Sequence, residues 1–452
     1  MTGIPLIIAF VVAVVLMIIA ISKWKVHPFL SIMGVSLLLA LVAGIPLTDV
    51  PGVIGAGFSG TFSSIGIVII LGALIGSILE QTGAALKLAD MTVKLVGKKN
   101  PELALELMGW VVSIPVFCDS GFVILDPIRK ALVKRTGSSS VAATVALSAG
   151  LYISHVFIPP TPGPIAAAST LGIGDNLLLV IGLGVLCSIF PLAAGLIYAK
   201  FIGKKVKSKD ELVEAGEVVK TYEELVAGYG KLPGGFNALA PIIIPVILMA
   251  LGTIGKQLGV TGFMLNLLTF LGTPIISLAV GTIFAIVQLA LAKKMGEFYK
   301  ITNDTLKTVG PILFVTAAGG VLGKVISSTT MVAYITENAN FLMNLGIFFP
   351  FLLAAILKTA QGSSTVAITT TAGIMAPMMV SLGLGTPVMG ALTVMAIGAG
   401  AMTVSHANDS YFWVVTNFGE MTPDQGYKTQ TILTLVMGIA SIIGIFLVSL
   451  FF

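Results

Sequence analysis

The chain has 452 residues, 56% of them hydrophobic and 10% charged, and its mean hydropathy is +1.05. A soluble domain is about 25% charged, so this composition excludes a soluble enzyme or a nucleic-acid binder and describes a protein that crosses a membrane many times. The net charge of +5 is spread over short clusters and reads as an orientation signal, not as a patch for acidic partners.

Apolar runs of about 20 residues, the length that spans a bilayer, recur along the chain. The first covers residues 3–21; no Lys or Arg precedes Lys23, so it lacks the basic flank of a signal peptide and reads as a retained span. Further spans lie at 28–44 and 60–79. Residues 83–97 mix lysines with apolar side chains, as a helix lying in the interface does. Residues 101–133 read as a re-entrant hairpin with the turn Pro115-Val-Phe-Cys-Asp119-Ser-Gly121, closed by Arg129, Lys130, Lys134 and Arg135. A span at 139–157 breaks at Ile158-Pro-Pro-Thr-Pro-Gly-Pro164, where prolines forbid regular helix, and another covers 177–199. Residues 202–236 are the one long polar segment, a charged linker. The plan then recurs, with spans at 238–256 and 274–292, a charged helix at 296–307 and a span at 309–326. A second hairpin follows at 343–380, then a span at 387–404 that breaks at Ser405-His-Ala-Asn-Asp-Ser410, and a last span at 430–450.

The interval from Asp119 to Gly362 nearly equals that from Thr161 to His406, so hairpin and break keep their spacing in both halves. The fold class expected is an all-α polytopic membrane protein with two repeats, 1–201 and 237–452, each holding about five crossings, one re-entrant hairpin and one broken helix. An odd number of crossings inserts the halves in opposite senses, which makes them inverted-topology repeats of the kind found in secondary transporters. With both termini outside and the linker cytoplasmic, every Lys and Arg except Lys256, Lys324 and Lys358 falls on the cytoplasmic side, as the positive-inside rule requires.

The stretch Lys358-Thr-Ala-Gln-Gly-Ser-Ser-Thr-Val-Ala-Ile-Thr-Thr-Thr371 holds too many hydroxyls to face lipid, where each unpaired polar group costs several kcal/mol. Its Gln361-Gly362-Ser363-Ser364 is the turn of the second hairpin. The second arm of each hairpin starts at its turn, so its free N–H groups, carrying about half a positive charge, point at the membrane centre. Two such ends meeting from opposite sides make an anion site. Gly121 and Gly362 would let a ligand approach backbone, and Ser120, Gln361, Ser363, Ser364, Thr365, Thr369 and Thr370 could bind its hydroxyls. The ligand described is a small hydroxylated organic anion.

Asp119 is an acid in a membrane turn and by default a functional residue, here a reversible proton carrier. His406 and Asp409 of the second break are alternative carriers, and Asp119, His406 and Asn408 are also candidates for binding the substrate. The same Ser and Thr residues also suit plain capping and helix-to-helix bonding. His155 suits packing, as do Cys118 and Cys187, and Lys358 is a lesser candidate for pairing the substrate's charge. No metal-ligand spacing occurs, and no cofactor is implied beyond a proton gradient as driving force.

Four spaced motifs, Phe117-Cys-Asp-Ser-Gly-Phe122, Pro159-Pro-Thr-Pro-Gly-Pro-Ile-Ala-Ala-Ala168, Ala360-Gln-Gly-Ser-Ser-Thr-Val-Ala367 and Ser405-His-Ala-Asn-Asp-Ser-Tyr-Phe-Trp413, resemble the gluconate permease family of proton symporters. The likeness covers essentially the whole chain. It implies proton-driven uptake of gluconate or a related sugar acid, or of relatives such as D-serine, across a bacterial inner membrane. It also implies inverted repeats with paired hairpins, a homodimer, and elevator-like movement. It adds Thr161 and Gly163 of the proline-rich break to the binding residues. Many members have His where this chain has Thr161, which bears on the substrate and on any proton role at that position. Two other readings stand beside it. One is coupling to sodium held by backbone carbonyls at the breaks. The other is an intramembrane enzyme using Ser363, His155, His406 and Asp119, against which stands the lack of any soluble catalytic domain.

Overall fold

The computed structural model describes residues 3–88, 91, 100–209, 232–257, 260–330, 334, 345–406 and 409–452. Most of the charged linker, part of the interfacial stretch at 83–97, the first residues of the second hairpin, Asn408, and the side chains of Ser120 and Gln361 lie outside the described residues. Among those described there is no strand.

The first half contains α1 (Ile4–Ser22), α2 (Pro28–Ala43), α3 (Val50–Gln81), α4 (Pro101–Val112), α5 (Cys118–Thr136), α6 (Ser140–Phe157), α7 (Pro162–Thr170) and α8 (Leu177–Ile202). The second contains α9 (Gly235–Gln257), α10 (Gly262–Gly272), α11 (Pro274–Leu291), α12 (Phe298–Ser327), α13 (Phe348–Gln361), α14 (Ser364–Met375), α15 (Pro387–Met402), α16 (Ser410–Phe418) and α17 (Ile432–Ser449). Local chemistry sets these limits. Pro28, Pro101, Pro162, Pro274 and Pro387 each open a helix, where no amide hydrogen is needed. Gly44, Gly137 and Gly362 close α2, α5 and α13 in the left-handed conformation.

Among the described residues seven helical segments are long and apolar enough to cross a bilayer, and α2, α3 and α15 are apolar as well. Several expected boundaries are corrected. The third span is not 60–79 but the 32-residue helix α3. The charged helix at 296–307 and the span at 309–326 are one 30-residue helix, α12, with Pro311 inside it. Proline deprives the carbonyl of Lys307 of its partner, and Lys307 is exposed, so the helix continues. The short helix α10 was not expected; its 11 residues are too few to cross.

Both hairpins, α4/α5 and α13/α14, and both broken crossings, α6–α7 and α15–α16, gather with α8 and α17 into an inner cluster. Every residue of α6 is buried. The long helices α3 and α12 pack on each other, α11 on α3 and α2 on α12. On the outside Ile8, Ile197, Phe284 and Ile443 present apolar surface, as lipid-facing helices do. Lipid supplies no hydrophobic drive between helices, so cohesion comes from close contact of small residues. A methyl on Gly323 of α12 would lie 2.6 Å from the carbonyl oxygen of Gly373 in α14, so only glycine fits that crossing. One charged group serves the same end. Arg129, expected as a boundary charge, is fully buried, bonding Asp126 at 2.6 Å, Ser140 at 2.6 Å and the Phe418 carbonyl at 3.2 Å. With Lys130 paired to Glu420 at 2.8 Å, it fastens the first hairpin to the end of α16.

The packing crosses between the halves. The second arm α14 packs on α7, the short helix of the first break, and α5 packs on α16, the short helix of the second. Each hairpin turn is thereby held against the other half's break.

Candidate substrate site

The first turn runs from Ser113 to Phe117. The Ser113 hydroxyl bonds the Val116 carbonyl at 3.0 Å and folds it. Phe117 precedes α5 in extended conformation and offers no side-chain cap, so the first N–H groups of α5 stay uncapped by a side chain. At the second turn Gly362 has φ 93°, a value only glycine adopts without strain, and its N–H bonds the Lys358 carbonyl at 2.8 Å. Ser363 caps α14 by accepting from the Val366 N–H at 3.3 Å. The break after α15 is the third element. At Ser405 its backbone is bonded on both sides, with Thr434 accepting from the N–H at 2.9 Å and Thr431 donating to the carbonyl at 2.6 Å. Asp409 then caps α16, accepting from the Tyr411 N–H at 3.1 Å.

These three elements enclose one cavity of about 490 Å³. Phe117, Cys118 and Asp119 of the first hairpin face Gly362, Ser363, Ser364, Thr365 and Val366 of the second across it. Asp409, Ser410 and Tyr411 of the second break and His155 of α6 contribute further wall, and His27 and Pro28 with Thr308, Pro311, Ile312 and Val315 of α12 close the far side. A smaller cavity of about 210 Å³, lined by Glu80, Glu297, Lys300 and Asp304, shares Phe117 and Thr308 with it.

Charge in and behind the wall is arranged unevenly. Lys358, at the end of α13, is fully buried; its ammonium donates to Asp409 Oδ2 at 2.6 Å and to the Gly362 carbonyl. Asp409 Oδ2 also accepts from Ser405 at 2.5 Å and from Tyr152 at 3.4 Å. Asp119 is served less well. Ser410 donates to its Oδ2 at 3.2 Å, while its buried Oδ1 has no partner among the described residues. Nδ1 of His155 is likewise buried without a partner. Buried polar atoms are nearly always bonded, so these two atoms leave bonding capacity beside the cavity.

Of the residues named from sequence, Asp119, Gly362, Ser363, Ser364, Thr365 and Asp409 share this wall. Ser120 lies in the first turn of α5, and Gln361 is the last residue of α13. The other described ones are not part of that wall. Gly121 is buried against Leu151, whose Cδ2 would sit 2.6 Å from an added methyl, so it serves packing and not ligand approach. Thr161 donates to the Ile158 carbonyl at 2.7 Å, and Gly163 abuts Ile368 of α14. Nε2 of His406 lies 3.0 Å from the Thr359 carbonyl. Thr369 bonds its own helix at Val366, 3.1 Å away, and Thr370 is buried. His155, expected as packing, lines the cavity, and Lys358, a lesser candidate, pairs with Asp409; Tyr152 and Ser410, not singled out from sequence, bond Asp409 and Asp119 respectively. For Lys358 and Tyr152 a signal existed: a lysine and a tyrosine inside apolar helices need polar partners.

A family model described as GntP family permease matches residues 4–451. The chain is 34% identical to an uncharacterized permease of Haemophilus influenzae, covering 92% of this chain and 86% of that one. It is 30% identical to the gluconate permease of Zymomonas mobilis, covering 98% and 97%. Among solved structures, the YdaH transporter of Alcanivorax borkumensis matches 94% of this chain and 97% of its own, with a TM-score of 0.62 at 17% identity, which speaks to the fold alone.

Proposed function

Since this chain belongs to the GntP family of permeases and is a multi-pass membrane transporter, we propose that it imports gluconate or a closely related sugar acid together with a proton. The observation that carries the reading is the cavity shared by the two hairpin turns, with a carboxylate oxygen of Asp119 and a ring nitrogen of His155 unpartnered in its wall. A polyhydroxy acid suits both parts of that wall. Its carboxylate is attracted by the N-termini of α5 and α14. Its hydroxyls can bond Ser363, Ser364 and Thr365 and donate to Asp119 and His155. Asp119 and Asp409 are the cavity's carboxyl groups and thus the candidates for carrying the proton.

The remaining parts of the reading concern the whole molecule. Repeats 1–201 and 237–452 are inverted, supported by the recurring order of long helix, hairpin, broken crossing and single crossing, and by the reciprocal packing of α14 on α7 and α5 on α16. The protein sits in a bacterial inner membrane as a homodimer, with both termini outside and the linker in the cytoplasm.

The test is uptake of radiolabelled gluconate into proteoliposomes. An inward proton gradient without sodium should drive accumulation above the equilibrium level. Accumulation only with a sodium gradient would replace proton coupling by sodium coupling. Competition by D-serine but not by sugar acids would move the substrate to hydroxy amino acids.

A further inference from the structure

The charges around the cavity disfavour the entry of a bare anion. Lys358 lies buried behind the cavity wall, and its charge is already cancelled by Asp409 of the wall at 2.6 Å. A second carboxylate, Asp119, stands in the same wall. A substrate anion entering beside an intact pair would add uncompensated negative charge to a low-dielectric site, which is costly.

Resting on the symport reading above, we infer that Asp409 is an internal stand-in for the substrate's carboxylate: the substrate takes Lys358 from Asp409, and Asp409 accepts the co-transported proton as it is released. The step balances. One ion pair, Lys358 with Asp409, is exchanged for another, Lys358 with substrate, and one proton binds the freed carboxylate. The site carries the same net charge empty and loaded. On the far side the substrate leaves, Asp409 loses its proton, and the original pair re-forms.

The geometry suits an exchange of this kind. Both acceptors of Lys358, Gly362 and Asp409, belong to the cavity wall, so the ammonium lies directly behind the surface a ligand meets. Asp409 does not depend on Lys358 for its position. Ser405, Tyr152 and the Tyr411 N–H hold it from three other directions, so it stays in place when the lysine turns away. Lys358 is a flexible chain on the last turn of α13, where the carbonyls of the helix end favour a cation whichever carboxylate it faces. Cys118 and Asp119 of α5, Tyr152 and His155 of α6 and Tyr411 of α16 face the pair, with His27 across the cavity and His406 behind the turn. Of these only Asp119 is a second carboxyl. Its role here is different: its unpartnered oxygen accepts substrate hydroxyls.

The experiment is equilibrium binding of radiolabelled gluconate to the purified full-length protein between pH 6.5 and 8.5. For the wild type, Kd should rise about tenfold per pH unit, the linkage of one proton to one ligand. Asp409→Asn should bind gluconate with no such slope, because its amide needs no proton to release Lys358. The double variant Lys358→Met with Asp409→Asn leaves the site's net charge unchanged and avoids stranding a buried charge. It should bind at least tenfold more weakly than Asp409→Asn at every pH. A wild-type slope in Asp409→Asn, or undiminished binding by the double variant, overturns the inference and leaves the symport reading standing. Wild-type protein that binds no sugar acid overturns both.

Discussion

At the scale of single residues, the site divides its work by how well each group is already bonded. Asp409 is fully engaged and so reserved for exchange, whereas Asp119 has an oxygen to spare. Asp119→Asn should therefore raise the KM for gluconate about tenfold or more, as loss of a charged hydrogen bond does, while proton-driven accumulation survives. A variant that binds normally but no longer accumulates would place the proton on Asp119 instead. Ser364→Ala with Thr365→Ala should raise KM about five- to thirtyfold at unchanged thermal stability, since each hydroxyl contributes about 1 kcal/mol; an unchanged KM would remove that turn from the site. Much of this wall was legible in the chain itself. Asp119 and the Gly362–Thr365 group stand out because small and polar residues interrupt apolar runs that would otherwise face lipid. The pairing of Lys358 with Asp409 was not legible, because it depends on the second break folding back onto the end of α13. Thr161, Gly163 and His406 carry motif signals yet bond or pack elsewhere: Thr161 on the Ile158 carbonyl, Gly163 against Ile368 of α14, and the His406 ring beside the Thr359 carbonyl.

Secondary-structure elements show the same contrast. Hairpins and breaks follow from glycine, proline and hydroxyl-rich islands: α13 ends at Gln361 and α14 starts at Ser364, whereas α5 already begins at Cys118, inside the expected turn Pro115–Gly121. Helix lengths were harder to read. Charged residues at the head of α12 resemble a separate surface helix, and Pro311 resembles a boundary, but with Lys307 exposed the chain simply continues. The contact of α12 with α14 rests on glycines, because backbone touches backbone there. Gly323→Leu should lower the Tm of the detergent-purified protein by several degrees and cut uptake. Gly60→Leu in α3, where an added methyl meets nothing, should do neither. Equal effects at the two positions would mean that this crossing does not need close contact.

For the molecule as a whole, the decisive feature is that one hairpin from each half meets the other at a single cavity, beside a break from the second half. Anion attraction by two helix ends, hydroxyl recognition and charge exchange at Lys358 all require that meeting. The most direct test uses Phe117→Cys on the first turn and Ser363→Cys on the second. Both are partly exposed on the cavity wall, and each is made in a background with Cys118→Ser and Cys187→Ser. The measurement is the rate of labelling by a small thiol reagent as gluconate is titrated in. A single shared site requires protection at both positions with the same half-maximal gluconate concentration. Protection at only one turn, or at clearly different concentrations, would contradict it.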